Sequence, residues 1–187
     1  STELQSIYGT GRCSGDSGNP IGLGAMNTKG LFWGDKTRTN GVKVFGMENW
    51  WGNLSRRTAG WINDKGTQKI KITEGTHDGS TINGYNLDGS GYIALSEATP
   101  SGTTSGYISE LKNDLAFGRI PVKASGSATT YEADGLWFNN ALTCYARAGA
   151  ARNSALADGP MAAMLLYDAV SKGGDVGAAL SCKPLAV

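Results

Sequence analysis

The sequence predicts an α+β domain in which strands dominate, and two observations carry this prediction. Glycine makes up 28 of the 187 residues, about twice its usual share of about 7%, and each glycine inside a helix costs about 1 kcal/mol relative to alanine. Short segments that alternate apolar and polar residues, as half-buried strands do, recur between these glycines. The length fits a single domain over residues 1–187, with residues 1–30 as a lead-in.

Three short strands are predicted in the first half of the chain. Residues 41–46 alternate as Gly-Val-Lys-Val-Phe-Gly, and residues 68–73 place Ile70 and Ile72 on one face with lysines on the other. Residues 92–95 form a third strand inside a long polar stretch. Asp-Gly and Asn-Gly pairs in that stretch favour tight turns.

A tryptophan cluster and one helix complete this part of the prediction. Trp50, Trp51 and Trp61 carry too much aromatic surface to remain in water, so we expect all three in the core. Residues 107–115 have apolar side chains at helical spacing, which predicts a short helix between two glycines.

The last third of the chain alternates apolar strands with small residues. Residues 131–138 and 142–146 are predicted strands, and residues 161–166 form a further apolar segment. Residues 176–182 are predicted to close the domain as its final strand.

The charge balance excludes two classes of partner. The chain has 17 Lys and Arg against 16 Asp and Glu, a net charge of +1, with no run of like charge. A nucleic-acid binder or a protein of anionic membrane surfaces needs a basic patch. No apolar stretch reaches the roughly 18 residues of a membrane span, so we expect no membrane insertion.

One segment is similar to a protease signature. Residues 13–20, Cys-Ser-Gly-Asp-Ser-Gly-Asn-Pro, resemble the Gly-Asp-Ser-Gly-Gly-Pro segment around the nucleophile of trypsin-like proteases. In those enzymes the serine follows the histidine and the aspartate, whereas Ser17 precedes His77, which is the only histidine. A chance match in a glycine- and serine-rich loop explains the likeness better, and His77 is expected in a solvated turn.

Cysteines and acidic residues give no clear metal site. Cys13, Cys144 and Cys182 lie too far apart for the ligand spacing of structural zinc. Residues 78–88 offer oxygen ligands without the register of a calcium loop, so an ordinary turn is favoured over a surface calcium ion and no cofactor is expected. A Cys144–Cys182 disulfide would fit if their strands are neighbours, and the alternative is buried thiols. No base lies beside any of them to indicate a catalytic cysteine.

Two segments carry a resemblance to a known family. Residues 44–54, Val-Phe-Gly-Met-Glu-Asn-Trp-Trp-Gly-Asn-Leu, resemble a segment of formylglycine-generating-enzyme and sulfatase-modifying domains, a branch of the C-type lectin fold. Residues 134–140 and 176–182 stand where that family has its late strands. Ala179 replaces the family's arginine, and no close cysteine pair matches its copper-binding thiols. The resemblance therefore implies the scaffold without the enzyme activity.

A closer resemblance is to variable proteins of diversity-generating retroelements in gut phages and prophages. These have the same scaffold and a hypervariable C-terminal tract before the last strand. Residues 145–149, 158–160 and 177–184 resemble their framework, which implies that residues 145–182 hold the variable region and the closing strand.

This resemblance implies a receptor-binding protein that acts outside the cell, in the tail tip of a virion or on a bacterial cell surface. Its partner would be a bacterial surface protein or glycan, and a homotrimer could form through a segment before residue 1. The residues implied on the variable face, with the last two at its rim, are Ala148, Ala150, Arg152, Asn153, Ala155, Asp158, Leu165, Tyr167, Asp168, Lys172, Gly173, Asp175, Trp137 and Asn139.

Two alternatives belong to other classes. An oxidase relative of the formylglycine-generating type would require a catalytic cysteine or a metal cluster. A purely structural domain of a virion or pilus tip would show no variable positions among sister copies.

Overall fold

The protein is represented by a computed structural model that describes residues 9, 11, 20–22, 24–35, 37–71, 85–95, 103–114, 118–127, 129, 134–149, 159–168 and 176–177. Within these residues the chain forms twelve strands and no helix. The strands are β1 (Lys43–Val44), β2 (Met47–Glu48), β3 (Ser55–Asp64), β4 (Thr67–Ile70), β5 (Ile93–Ala94), β6 (Thr103–Tyr107), β7 (Glu110–Asp114), β8 (Gly118–Lys123), β9 (Gly135–Asn139), β10 (Thr143–Ala148), β11 (Ala163–Leu165) and β12 (Val176–Gly177).

Eight of the strands form one sheet with β10 at its centre. The order is β5-β4-β3-β10-β11-β9-β6, and β12 lies beside β3. Most neighbours are antiparallel, whereas the β11–β9 and β12–β3 pairs are parallel. The strands β1 and β2 form one separate hairpin, and β7 and β8 form another.

Asn63 joins two turns at one end of this sheet. Its Nδ2 donates to the carbonyl oxygens of Asn139 (2.7 Å) and Leu142 (2.9 Å), between β9 and β10. Its Oδ1 accepts from the amide of Gly66 (3.0 Å) in the β3–β4 turn. Because the side chain is fully buried, these bonds replace the water that its amide would otherwise need.

A core that we call the sheet cluster lies on one side of the sheet, under the β7–β8 hairpin. Leu136, Phe138 and Leu165 are fully buried within it. Trp61 and Leu111 are partly buried against it. The buried members of the sheet cluster are Ile108, Ala124, Leu136, Phe138, Cys144, Ala146, Ala163 and Leu165.

A second core, the hairpin cluster, consists of Val42, Val44 and Trp51, with Trp50 packed against it. Strands β1 and β2 meet in a tight turn at Phe45 (φ 51°) and Gly46 (φ 77°), the backbone twist that suits two-residue hairpins. The Trp51 indole N–H donates to the carbonyl oxygen of Gly9 (3.1 Å).

Two charged side chains of this hairpin hold the turn over residues 24–30. The Glu48 carboxylate accepts from the amides of Gly24 (3.0 Å) and Met26 (3.1 Å). The Lys43 ammonium donates to the carbonyl oxygens of Met26 (3.0 Å) and Lys29 (3.2 Å). An anion therefore meets amide donors of the turn, and a cation meets its carbonyl oxygens.

Strand dominance is confirmed, while the predicted helix over residues 107–115 is wrong. Residues 110–114 form β7, which pairs with β8. Three apolar side chains suggest the helix: Ile108 and Leu111 reach the sheet cluster from an extended chain, and Leu115 lies outside the described residues. Pairing with β8 thus overrides a helical spacing that too few residues support. The helical part of the predicted class has no counterpart among the described residues.

Several other predictions hold in shortened or altered form. Strands appear within the predicted ranges 41–46, 68–73 and 92–95, each reduced to two to four residues or shifted by one. The tryptophans do not form one core, since Trp50 and Trp51 belong to the hairpin cluster and Trp61 packs on the sheet cluster. In the part of the chain that the structure describes, no helix is suited to crossing a bilayer.

Candidate functional site

The connection between β10 and β11 begins and ends at one hydrogen bond. The amide of Gly149 donates to the carbonyl oxygen of Ala162 (2.9 Å), and Ala148 pairs with Ala163 in the sheet. Gly149 has φ 80°, and a Cβ there would lie 2.8 Å from the carbonyl oxygen of Trp50. Glycine is therefore required at this position, where the chain leaves the sheet.

A buried carboxylate holds the returning end of the connection. Asp134 is fully buried, and its Oδ2 accepts from the amide of Met161 (2.7 Å). Its carbonyl oxygen accepts from the amide of Ile108 (2.8 Å). Because a charged acceptor makes a stronger bond than a neutral one, Met161 is held firmly against the start of β9.

An apolar groove of about 230 Å³ lies beside these two ends, between the sheet and β8. Ala148 comes from the outgoing end of the connection and Met161 from the returning end. Among the described residues that line it, only Arg119 is charged. The residues that line the groove are Trp61, Ile70, Arg119, Ile120, Pro121, Ala148, Pro160, Met161 and Ala162.

Gln68 sets the distance between the two walls of the groove. Its Oε1 accepts from the indole N–H of Trp61 (2.9 Å), and its Nε2 donates to the carbonyl oxygen of Pro121 (3.1 Å). Gln68 is 1% exposed. A buried amide with both ends bonded fixes the rotamers of its neighbours, so Gln68 is a positioning residue for the groove.

Arg56 is a partly desolvated cation near the outgoing end of the connection. It pairs directly opposite Ala148 across β3 and β10, and side chains of directly opposed residues emerge on the same side of a sheet. Burial lowers the pKa of its guanidinium. No carboxylate of the described residues forms an ion pair with Arg56.

The other side of the sheet carries a cation over an aromatic ring. Trp137, Met164 and Arg147 share this side, because they are cross-strand partners in β9, β11 and β10. The Arg147 guanidinium lies 4.9 Å from the ring centroid of Tyr167, within the range of cation–π attraction. Arg147 is buried, whereas Tyr167 is 43% exposed.

The structure divides the predicted variable-face residues between these surfaces. Ala148 lines the groove, while Tyr167 and Asp168 are exposed on the chain beyond β11. Trp137 and Asn139 are half-buried on the side opposite to the groove, and Asn139 Oδ1 accepts from the amide of Ala141 (2.9 Å). The following predicted residues lie outside the described ones: Ala150, Arg152, Asn153, Ala155, Asp158, Lys172, Gly173 and Asp175.

Leu165 requires a correction. It was predicted on an exposed binding face, but it is fully buried in the sheet cluster opposite Phe138. Its position next to exposed Tyr167 in sequence did not reveal that β11 is an interior strand. A ligand at the surface cannot contact it.

Sequence reasoning missed the β8 wall of the groove. Arg119, Ile120 and Pro121 received no predicted role, because a proline within an apolar run argues against a strand. Pro121 is tolerated at the irregular end of the β7–β8 pair, where the register shifts between Glu110 and Leu111. The signal available in the sequence was the apolar run from Ile120 to Val122, which the structure buries.

Cys144 is a free, buried thiol. Burial raises its pKa to about 11, so it is protonated at neutral pH and unsuited to act as a nucleophile. Of the two alternatives left open for the cysteines, a Cys144–Cys182 disulfide or buried thiols, Cys144 fits the buried thiol. Cys13 and Cys182 lie outside the described residues.

The described part of residues 78–88, for which an ordinary turn is favoured over a calcium site, forms a turn. Asn86 Oδ1 accepts from the amides of Gly89 (2.9 Å) and Ser90 (3.1 Å), and Asp88 Oδ1 accepts from Ser90 (2.7 Å). Over the described ranges, no group of three acidic, cysteine or histidine residues could hold a metal ion. Ser17 and His77 lie outside these ranges.

Comparison with known proteins gives no relative. No family model, no curated protein and no solved structure matches this chain. The function must therefore be argued from the residues and from the geometry of the groove.

Proposed function

We propose that this chain is a binding module without enzymatic activity, a retroelement-type variable protein on a C-type-lectin scaffold. Its target is a molecule of the bacterial surface, met outside the cell at a phage tail tip or from another bacterial surface. The observation that carries the proposal is the closed base of the β10–β11 connection, where Gly149 and Ala162 share a hydrogen bond beside an apolar groove.

This base separates the residues that maintain the fold from those that can change. Cys144, Ala146, Ala163 and Leu165 face the sheet cluster and are almost fully buried. Gly149, directly after β10, is the last described residue before the connection. Substitutions away from buried or hydrogen-bonded positions usually change stability by less than about 0.5 kcal/mol, so residues beyond the base can vary while the framework persists.

The position of the segments that resemble the C-type-lectin family supports the proposed lectin-type scaffold. Gly52, in the segment 44–54, donates its amide to the carbonyl oxygen of Gly149 (2.8 Å), where the variable region begins. The tryptophan-rich segment thus supports the base of the connection directly. The later segment, residues 134–140, contributes β9 and the Asp134 carboxylate that holds Met161.

The DNA that neighbours the gene for this chain tests the proposed retroelement origin. We expect a near-copy of the codons for residues 145–182 beside a reverse transcriptase gene, with differences confined to adenines of the template. Sister genes should then differ within this region and agree outside it. Identical sister copies would instead favour a structural domain of a virion or pilus tip.

The binding function is tested by exchanging residues 150–158 as a block for a scrambled order of the same residues. Labelled protein is applied to a panel of whole bacterial cells that includes the strain of origin and its relatives. We expect the block exchange to change which cells are bound, with the melting temperature shifted by no more than about 3 °C. Thr67→Ala is the control. Thr67 is exposed and lies at the opposite end of β4 from Ile70, so its substitution should change neither the cells bound nor the melting temperature.

Unchanged cell binding by a folded block-exchange protein would overturn the proposal. A large fall in melting temperature would contradict the separation of framework and connection.

A further inference from the structure

The size of the groove limits what can enter it. Its volume of about 230 Å³ is below the roughly 300–1,000 Å³ of typical small-molecule sites. Trp61 and Met161 give it an aromatic and a flexible apolar wall, a combination that adapts to apolar groups. The groove therefore suits one large side chain rather than a whole small molecule.

Several polar groups beside the groove are already bonded within the protein. The Trp61 indole N–H is taken by Gln68, and the amide of Met161 is taken by Asp134. The amide of Ala162 donates to the carbonyl oxygen of Gly159 (3.1 Å). A sugar would bury hydroxyl groups here with few partners, and an unpaired buried hydroxyl group is unfavourable. An apolar side chain carries no such cost.

Two guanidinium groups border this apolar surface. Arg119 lines the groove from β8. Arg56 lies opposite Ala148, and its Nη2 would be 3.4 Å from a Cβ built on Gly149, at the base of the connection. A carboxylate arriving from a partner would give Arg56 the counter-ion that no described residue supplies, and planar guanidinium groups match carboxylates well.

We propose that the groove binds a protein segment, taking one large apolar side chain between Trp61 and Met161 while a neighbouring carboxylate of that segment meets Arg56 and Arg119. The inference rests on the proposed binding function and deepens it, because it selects a protein over a glycan as the target. It also assigns part of the recognition to framework residues that sequence reasoning did not select.

The test is a titration of the full chain with peptides, monitored through the NMR signal of the Trp61 indole N–H. That signal is assigned by its absence from the spectrum of Trp61→Phe. The probes are the blocked peptides Ac-Glu-Phe-Glu-NH₂ and Ac-Glu-Leu-Glu-NH₂. Matched probes are Ac-Lys-Phe-Lys-NH₂, which reverses the charge, Ac-Glu-Ala-Glu-NH₂, which removes the large side chain, and methyl glucoside. We expect saturable shifts with the first two peptides, with dissociation constants of about 1 mM. The other three probes should bind at least fivefold more weakly.

Variants then assign the contacts. Ala148→Leu should fill the groove and weaken the acidic phenylalanine peptide at least tenfold. Arg56→Gln and Arg119→Gln should each weaken binding of the acidic phenylalanine peptide about threefold to tenfold. Binding of Ac-Lys-Phe-Lys-NH₂ should stay unchanged or become tighter. Arg38→Gln, an exposed arginine outside the groove lining, is the matched control and should change nothing. Melting temperatures confirm that each variant is folded.

Three results would overturn the inference. They are no shift with either acidic peptide at about 10 mM, equal shifts with the acidic and the lysine peptides, or tighter binding of the glucoside than of the acidic peptides. These results are distinguishable from failure of the proposed function. If the block exchange of residues 150–158 changes cell binding while the peptides do not bind, only the groove inference fails. If the peptides bind while the block exchange has no effect on cells, only the variable-region proposal fails.

Discussion

The sheet cluster and the hairpin cluster bury similar apolar side chains, but they collect them from different distances along the chain. The sheet cluster joins residues as far apart as Ile108 and Leu165, whereas the hairpin cluster lies within residues 42–51. A local cluster can open as a unit, while a core shared by many strands is lost only when they separate together. The groove and the base of the connection therefore depend chiefly on the sheet cluster.

The two regions also treat their apolar residues differently. Around the hairpin, Leu31, Phe32, Phe45 and Met47 are 46–70% exposed, and the rings of Phe32 and Phe45 pack edge to face with centroids 4.9 Å apart. In the sheet, Leu136, Phe138 and Leu165 on the cluster side are fully buried, and Leu111 of β7 packs against the cluster. The comparison predicts global effects from damage to the sheet and local effects from damage to the hairpin.

The largest effect is expected from Phe138→Ala. Phe138 is fully buried at the middle of β9, so its removal leaves a cavity and should lower the free energy of unfolding by about 3–5 kcal/mol. Urea denaturation measures the loss, and hydrogen exchange should accelerate together in β3, β9 and β10. Ile93→Ala, at a 59% exposed position, is the control, with a change within about 0.5 kcal/mol. A loss below about 1 kcal/mol for Phe138→Ala would refute the dominance of the sheet cluster.

Asn63→Leu should follow, with a loss of about 3 kcal/mol. The substitution removes the donors of two carbonyl oxygens and the acceptor of the Gly66 amide, and unpaired buried groups cost about 1–3 kcal/mol each. Asn63→Asp keeps the acceptor and loses both donors, so most of the loss should remain, as chemical denaturation would show. Equal stability of Asn63→Asp and the parent protein would show that the amide donations do not hold the turns together.

Val44→Ala tests the hairpin cluster and should cost about 2 kcal/mol for the methyl groups removed. Because the cluster is local, hydrogen exchange should accelerate for amides of residues 42–49 and stay unchanged in β3 and β10. Acceleration throughout the sheet would mean that the two clusters unfold as one unit.

The smallest effect concerns the ion pair of Asp64 and Lys69 at the β3–β4 turn, with 2.6 Å between Oδ2 and Nζ. The hydrogen bond from Lys69 lowers the pKa of Asp64 below its usual value, with a smaller opposing effect of burial. The pair therefore stabilises the protein above about pH 4, and this contribution is lost as pH falls through the lowered pKa. Since both side chains are partly exposed, we expect under about 1 kcal/mol. The difference in stability between the parent protein and Lys69→Met should be present at pH 6 and shrink toward pH 2, and a difference that grows in acid would contradict this assignment.

Much of the strand pattern could be read from the sequence because it is local. Alternation in residues 68–73 predicted β4, and the apolar runs 131–138 and 142–146 predicted β9 and β10. Their boundaries shifted because pairing partners, rather than propensity, decide where a ladder ends. The helix over residues 107–115 failed for the same reason, since Leu111 reaches the core equally well from a strand that β8 can pair with.

The candidate site was less accessible to such reasoning. Ala148 was found because it opens the resembled variable region, and Met161 was recognised only as part of an apolar segment. Arg119 and Arg56 carry no pattern that relates them to Ala148. Arg119 lines the groove together with Ala148 because β8 folds over the sheet, and Arg56 lies opposite Ala148 because β3 pairs with β10.

The amino-acid sequence alone determined that this chain is strand-rich, nearly neutral, and supplied with apolar segments short enough to be single strands. Only the tertiary structure decided that the tryptophans serve two cores, that Leu165 is interior, and that the two ends of the β10–β11 connection meet beside a groove. The physical reason is that periodicity records which face of a segment is apolar, whereas the partner of that face depends on contacts between residues far apart in the chain.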